Sequence, residues 1–180
     1  MNIRYNKNFV GIHRKYHSDG SLEREVFINN GKREGLSKRY YRSGKVYMEN
    51  FYINDKKNGK CLWYHGNGNI WLQCYYKYNL KNGPHKEYYE NGNIKVISYY
   101  YDGDNIGLYK CYHETGYLEK ICYYKMGKMK GLCMEFHNNG VLWCKCFYNN
   151  DEELIGDYIE YSKTLKIIVR EYYKNNKIIY

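Results

Sequence analysis

The rest of the chain is a series of variations on residues 35–58, which read Gly35-Leu-Ser-Lys-Arg-Tyr-Tyr-Arg-Ser-Gly-Lys-Val-Tyr-Met-Glu-Asn-Phe-Tyr-Ile-Asn-Asp-Lys-Lys-Asn58. The first glycine of this stretch returns at a spacing of 24 residues five times and of 25 residues once. These glycines are Gly11, Gly35, Gly59, Gly83, Gly107, Gly131 and Gly156. Self-similarity at a fixed period indicates a tandem array, in which each unit packs on its neighbours. We therefore predict one repeat domain over residues 1–180.

The array divides into a half repeat, 1–10, and the repeats 11–34, 35–58, 59–82, 83–106, 107–130, 131–155 and 156–180. We number the positions inside each repeat from 1 to 24. Position 12 is always a branched aliphatic residue, and position 10 is glycine except in the last repeat, which has Thr164 and Leu165 there. Position 6 is always aromatic and supplies the structural ring of each repeat: Tyr16, Tyr40, Tyr64, Tyr88, Tyr112, Phe136 and Tyr161. Glycine between runs of aromatic and branched residues is typical of strands and turns.

Each repeat is predicted to form one β-hairpin, with strands at positions 2–7 and 11–19. A three-residue loop with a left-handed glycine at position 10 pairs position 7 with 11 and position 6 with 12, so that paired positions sum to 18. The register places Lys15 opposite Glu23, which supports it, and Lys110 opposite Lys120, which speaks against it. Positions 12, 14, 16 and 18 then share one mostly apolar face. The predicted fold is an all-β, elongated, single-layer antiparallel meander of hairpin repeats.

The composition limits the class of protein. Tyrosine accounts for 26 of 180 residues and aromatic residues for 19%, which is too many large rings for a disordered chain. The apolar runs are too short for a membrane-spanning helix. Seven cysteines, an odd number, follow a polar start without a signal-peptide pattern, so we expect reduced thiols and a cytoplasmic protein.

Cysteine and histidine are the usual ligands of zinc in proteins. Cys144 and Cys146 are predicted on one face with Cys122, and Cys133 on the other. This arrangement favours small buried thiols over a metal or redox site, since no pair has zinc-finger spacing. Histidine recurs at position 7 in four repeats, at His17, His65, His113 and His137. Equivalent positions lie two strands apart, about 9–10 Å, which is too far for ligands that must converge on one ion.

No residue type appears in a catalytic pattern. Carboxylates are few and none is placed opposite another, no nucleophile has a base assigned by spacing, and Gly66-Asn-Gly68 lacks the residues of a phosphate loop. We therefore expect a protein that is not an enzyme, with no catalytic residue, no metal ligand and no cofactor.

The net charge of +10 is concentrated near the N-terminus, because residues 1–60 hold 14 Lys and Arg against 6 Asp and Glu. Such an excess can steer an anionic partner by long-range attraction. The candidate contacts for an anionic partner are Lys32, Arg33, Lys38, Arg39, Arg42, Lys56 and Lys57. The alternative is that these side chains form a solvated cluster without a partner.

Two runs carry a resemblance to a known family. The run Phe27-Ile-Asn-Asn-Gly31-Lys-Arg-Glu-Gly35-Leu-Ser-Lys-Arg-Tyr40 is echoed by Tyr123-Tyr-Lys-Met-Gly127-Lys-Met-Lys-Gly131-Leu-Cys-Met-Glu-Phe136. Both resemble the aromatic-x2-Asn-Gly-Lys-x2-Gly-x4-Tyr signature of MORN-repeat proteins, in the variant form of bacterial antitoxin-like proteins and large DNA viruses. The Glu-Gly-Glu-Trp segment of the main MORN pattern is absent. The resemblance implies a meander of β-hairpins that acts as a scaffold, with partners from phosphoinositides to other proteins.

From these observations we expect a non-enzymatic scaffold that mediates protein–protein interaction. Three alternatives stay open: binding of an acidic phospholipid surface, binding of nucleic acid, both through the basic N-terminal third, and toxin neutralisation, which only the antitoxin-like resemblance implies. A homodimer formed by end-to-end contact of edge strands is also expected, because the last repeat loses its hairpin glycine and finishes on the apolar run 177–180.

Overall fold

The structure is a computed structural model that describes residues 5–179. Over this range the chain forms sixteen β-strands and no helix. The first eight are β1 (Gly11–Tyr16), β2 (Leu22–Asn29), β3 (Lys32–Tyr40), β4 (Val46–Ile53), β5 (Lys56–Tyr64), β6 (Ile70–Lys77), β7 (Leu80–Lys81) and β8 (Gly83–Tyr88). The others are β9 (Ile94–Tyr101), β10 (Asp104–Tyr112), β11 (Leu118–Lys125), β12 (Lys128–Phe136), β13 (Leu142–Tyr148), β14 (Leu154–Tyr161), β15 (Ile167–Lys174) and β16 (Lys177–Ile178).

Within each unit neighbouring strands pair in sequence order, and the pairs are antiparallel. The described residues form two compact units, one running to Pro84 with Glu90–Gly92, the other comprising His85–Tyr89 and the chain from Asn93 onward. Inside the first unit, β1 to β6 pair consecutively, and β7 pairs with β6. Inside the second, β9 to β16 pair consecutively. The all-β antiparallel meander is therefore confirmed. The described part of the chain has no helix that could cross a membrane.

The predicted hairpin loop is present in the structure. In the first repeat, the backbone N–H of His17 donates to the carbonyl of Ser21 at 2.8 Å, and Gly20 takes the left-handed conformation at φ 86°. Position 6 lies opposite position 12, as predicted, for example where Tyr16 faces Leu22. A three-residue loop closed by a left-handed glycine fixes this part of the register because its backbone matches the twist of the strands.

Beyond the loop, the predicted register is wrong by one residue. A β-bulge lies between Lys15 and Tyr16, so Lys15 faces Arg24 instead of Glu23. Glu23 is the extra residue of the bulge, yet its carboxylate still reaches Lys15 Nζ at 2.5 Å. A bulge adds one residue to one strand and shifts every pair behind it, so paired positions there sum to 19.

The same shift removes the one conflict of the predicted register. Lys110 faces Ile121, and Lys120 faces Cys111. Lys120 instead forms an ion pair with Glu135 on the next strand, at 2.9 Å. The lysine pair that argued against the hairpin model is therefore absent from the sheet.

The bulge also corrects the assignment of faces. Residues directly opposite each other share a face, so position 12 lies on the same face as the ring at position 6 and not with positions 14, 16 and 18. We call the face with positions 3, 5, 14, 16, 18 and 23 the core face, because its side chains Val26, Ile28, Cys74 and Cys144 are buried. The face with positions 2, 4, 6, 12, 15 and 17 is the outer face.

Positions 3 and 16 lie opposite each other on the core face, and in two repeats both are cysteine. Cys61 faces Cys74 in the first unit, and Cys133 faces Cys146 in the second. All four thiols are buried, and Cys133 packs with Cys146 and Cys122 in one cluster. The prediction that Cys133 points away from the others was wrong, because it assumed the register without the bulge. Small side chains suit this position because larger rings close over them from the neighbouring positions.

The first strand of most hairpins is also longer than predicted. β3 begins at position 22 of the preceding repeat, after a second tight turn in which Asn30 and Gly31 have φ of 48° and 74°. Positive φ at both central residues is typical of a type I′ turn. The glycine at position 1 does not mark a turn but lies inside the strand, where the register shifts again. In the last repeat Leu165 takes φ 60° at the place of the missing hairpin glycine.

The glycine inside the strand is required by its backbone conformation. Gly59 has φ 85°, and a methyl group added there meets nothing within 4 Å. We expect Gly59→Ala to lower the free energy of unfolding by about 1–2 kcal/mol, since the left-handed conformation is strained for any L side chain. Urea unfolding measures the change. Gly66→Ala is the matched control, because Gly66 has the same open surroundings without the positive φ, and it should be neutral or slightly stabilising. Equal losses in both variants would contradict the bulge.

Candidate interaction surface

The outer face exposes a regular set of apolar pairs. Position 2 lies opposite position 17, and in most repeats the first is aliphatic and the second aromatic. In the first unit the pairs are Ile12 with Phe27 and Leu36 with Phe51, and in the second they are Leu108 with Tyr123 and Leu132 with Phe147. We call these exposed pairs the apolar pairs. All eight side chains are exposed, so the repeat places a similar apolar contact surface at four of the hairpins.

One of these pairs lines a cleft in the first unit. Leu36, 47% exposed, and Phe51, 42% exposed, border a cleft of 250 Å³ together with Leu62, Lys60 and Glu49. Aliphatic and aromatic walls with a charged residue at the edge resemble the composition of protein interfaces, which have an apolar centre and a polar rim.

The carboxylate at the edge of this cleft is already paired. Glu49 forms an ion pair with Lys38 at 3.2 Å and accepts a hydrogen bond from the Tyr64 hydroxyl at 3.1 Å. Burial of the ring and this hydrogen bond raise the pKa of Tyr64 to about 12. Tyr40 makes the equivalent hydrogen bond to Glu25 at 3.1 Å. The rings at position 6 therefore fix the carboxylates at position 15 of the outer face.

The residues at position 7 connect successive repeats. A ring nitrogen of His17 lies 3.3 Å from the carbonyl of Tyr40, and His113 and His137 make the same contact with Phe136 and Tyr161 at 3.1 Å. Because a carbonyl only accepts, each imidazole donates. The hydroxyl of Tyr41 donates to the carbonyl of Tyr64 in the same way, at 2.8 Å. These three histidines at position 7 therefore form side-chain to backbone hydrogen bonds between successive repeats, which accounts for their recurrence in the sequence. Among residues 5–179 no group of three or more His, Cys, Asp or Glu could hold a metal ion.

Three of the seven candidate basic residues form ion pairs. Arg33 binds Asp55 at 2.9 Å through its Nε, and its backbone N–H donates to the same carboxylate at 2.9 Å. Partial burial disfavours the Asp55 carboxylate, but these donors outweigh it and lower its pKa. Arg42 pairs with Asp19 at 2.8 Å, and Lys38 with Glu49 as described above.

The other four candidates contact rings or solvent. Lys57 Nζ lies over the ring of Tyr76 at 4.9 Å, and Lys56 Nζ over the ring of Tyr78 at 5.7 Å. Arg39 donates to the Tyr47 hydroxyl at 3.3 Å. Lys32 is exposed. Such cation–π contacts hold a lysine in place while leaving its charge available.

The structure does not bring the seven candidates together. Strand alternation places Arg33, Arg39 and Lys57 on the core face, Lys38, Lys32 and Lys56 on the outer face, and Arg42 in a hairpin loop. Sequence reasoning also missed Arg24, whose Cα lies opposite that of Arg39 on the core face. Only the pairing between neighbouring hairpins could have revealed it, and the 24-residue period does not specify that pairing.

The comparison with known families agrees with this geometry. The MORN repeat variant family matches residues 33–54, 57–78, 81–102, 106–126 and 129–150. The first matched segment, for example, begins inside β3 and ends at the tight turn after β4. Since the matches cover more than half of the chain, the protein belongs to the MORN repeat variant family. None of the curated proteins compared with the chain matches it.

MORN repeats of this kind are consistent with a repeat scaffold for interaction with proteins or membranes. The chain repeats one hairpin, and the apolar pairs recur on the outer face of four of its seven repeats.

Proposed function

We propose that this MORN repeat protein is a non-enzymatic scaffold that binds a protein partner through the apolar pairs of the outer face. The observation that carries the proposal is the recurrence of exposed aliphatic and aromatic side chains opposite each other, as at Leu36 and Phe51. Monomeric proteins rarely expose contiguous apolar surface without using it for contact. Aromatic residues are enriched at the centre of protein interfaces.

The charges beside the pairs favour a protein over a polyanion at this surface. Lys38 is paired with Glu49, and Arg14 is paired with Glu25 at 3.2 Å. Cations whose charge is balanced by a neighbouring carboxylate attract phosphate groups weakly, whereas they suit the polar rim of a protein interface.

The buried polar residues support a role without catalysis. His85 lies 3.0 Å from Glu87, a distance that suits proton transfer, but the histidine is only 3% exposed. A substrate has no access to an acid–base pair in this position.

The proposal is tested by affinity capture from a native cell extract with the double variant Leu36→Gln/Phe51→Gln. We expect wild-type protein to retain a partner protein in the presence of nuclease and at high salt. The double variant should bind that partner about tenfold more weakly or worse, since buried interface anchors each contribute about 1–2 kcal/mol or more. Leu80→Gln is the matched control, because Leu80 is exposed to a similar degree but belongs to none of the apolar pairs. Capture that the double variant does not change, or that nuclease abolishes, would contradict the proposal.

A second candidate function is binding of an anionic partner, an acidic lipid surface or nucleic acid. The excess of 14 basic over 6 acidic side chains in residues 1–60 favours it. Such binding would weaken steeply as the salt concentration rises.

Neutralisation of a toxin also stays a proposal. End-to-end pairing with a second copy of the chain is also still a proposal. The exposed side chains of Ile167 and Ile168 on β15 support it.

A further inference from the structure

Three arginines lie on the core face of the first unit. Arg24 on β2 lies directly opposite Arg39 on β3, and Arg33, also on β3, lies opposite Ile28. Like charges directly opposite each other in a sheet are destabilising. We call Arg24, Arg33 and Arg39 the arginine cluster. A sheet that retains such a pair requires a compensating interaction.

The compensation present is incomplete. Arg33 is neutralised by Asp55, as described above. Arg24 and Arg39 have no carboxylate partner among residues 5–179, and each donates only to a phenol, Tyr5 at 3.2 Å for Arg24 and Tyr47 for Arg39. The Nε of Arg24 is buried and has no hydrogen-bond partner in the described part of the chain. An orphaned buried donor is costly, since nearly all such groups are satisfied in folded proteins.

The cluster is centred on one buried ring. Tyr52 is 7% exposed, and the Cζ of Arg33 lies 4.2 Å from the centroid of its ring. Burial raises the pKa of Tyr52, and the positive charges of Arg33, Arg39 and Arg24 oppose that rise. The charges of all three guanidinium groups therefore affect the same buried ring, that of Tyr52, although the arginines lie at different strand positions.

We propose that the arginine cluster is a binding site for a phosphate-type oxyanion. The guanidinium fork presents donors in a geometry that matches phosphate bidentately. A phosphate monoester carries close to two negative charges at neutral pH, which balances the two guanidinium groups that lack a carboxylate. Its oxygens also offer an acceptor for the buried Nε of Arg24. The site lies on the core face and does not depend on the apolar pairs of the outer face.

The test compares thermal unfolding in inorganic phosphate with unfolding in chloride at matched ionic strength. For the wild type we expect a Tm that rises with phosphate concentration, because a ligand that binds only the folded state stabilises it. Arg39→Gln should change the Tm differently in the two salts. It removes the like-charge contact and should raise the Tm in chloride, while the increase produced by phosphate should be lost. Calorimetric titration should show affinity for phosphate weakened about tenfold or more.

Arg42→Gln is the matched control, since Arg42 is exposed in a loop and already paired with Asp19. It should keep the phosphate response of the wild type, as should the double variant Leu36→Gln/Phe51→Gln. Where Arg39→Gln does not fold, Arg24→Gln gives the same readout. The proposal is overturned by a wild type that does not respond to phosphate, or by an Arg39→Gln variant that still responds fully.

The source of the phosphate group is determined by sedimentation with phosphatidylcholine vesicles that contain phosphatidic acid. Binding to these vesicles that Arg39→Gln abolishes supports the site and assigns a lipid headgroup. Phosphate-dependent stabilisation without vesicle binding supports the site and assigns a soluble phosphate compound. Vesicle binding that Arg39→Gln leaves unchanged, without a phosphate response, assigns the interaction elsewhere and overturns the site.

Discussion

Raising the pH from 9 to 11 should cost the protein several kcal/mol of stability, because Cys74 and Cys144 on its core face are buried thiols that resist ionisation. Burial, reinforced by the neighbouring Cys61, raises the pKa of Cys74 from 9.0 to about 11. Burial, reinforced by Glu135, raises the pKa of Cys144 from 9.0 to about 12. Below pH 9 these thiols are protonated in both the folded and the unfolded chain.

Above pH 9 the unfolded chain releases these protons while the folded chain keeps them. The unfolded state then binds fewer protons, so the free energy of unfolding falls as the pH rises. The fall continues until the pH passes the folded pKa, which is about 11 for Cys74. For Cys74 alone, two pKa units correspond to a loss on the order of 3 kcal/mol above both pKa values, of which about 2 kcal/mol falls between pH 9 and pH 11.

Urea unfolding at pH 9 and pH 11, in reductant, measures this loss. Cys74→Ala is the control: it should be less stable at pH 9, because packing is lost, but its stability should fall less steeply towards pH 11. Identical pH slopes for the wild type and the variant would show that Cys74 is not buried in the folded state.

Removing the side chain of Ile28 should destabilise the first unit by about 3 kcal/mol. Ile28 is 0% exposed on β2, where it lies opposite both Gly11 and Arg33. Truncation of a buried isoleucine to alanine loses its transfer free energy and leaves a cavity, and such changes cost about 2–5 kcal/mol. Urea unfolding should show a lower midpoint with an unchanged slope.

The control for Ile28→Ala is Ile53→Ala. Ile53 is the same residue type at the end of β4, but it is 37% exposed. Its truncation should change the free energy of unfolding by no more than about 0.5 kcal/mol, as expected for a surface substitution. Comparable losses in the two variants would mean that positions 18 and 19 do not differ in burial, and the division into a core face and an outer face would fail.

The sequence alone predicted the parts of the fold that depend on local chemistry. The recurrence of glycine at position 10 predicted the hairpin loop closed at Gly20, and the ring at position 6 predicted its contact with the aliphatic residue at position 12. Such features repeat because every hairpin must reverse the chain direction in the same way and pack against its neighbouring hairpins. The period, the strands and the MORN resemblance follow from the same residues.

The positions at which the register shifts could not be predicted from the pattern. The bulge beside Lys15 and the left-handed glycine inside the strand at Gly59 shift the pairing, yet neither alters the spacing of the apolar residues. A shift of one residue turns side chains to the other face, which is why Cys133 was misplaced.

The candidate site shows the same division between sequence and structure. The sequence identified a basic N-terminal third, and its excess of positive charge is a property of composition. Which of these cations share a face was decided only by the folded sheet, which separates Lys38 from Arg39 and brings Arg24 against Arg39. The physical reason is that composition and period are carried by the chain itself, whereas contact between neighbouring hairpins depends on bulges that change the strand pairing without changing the repeat.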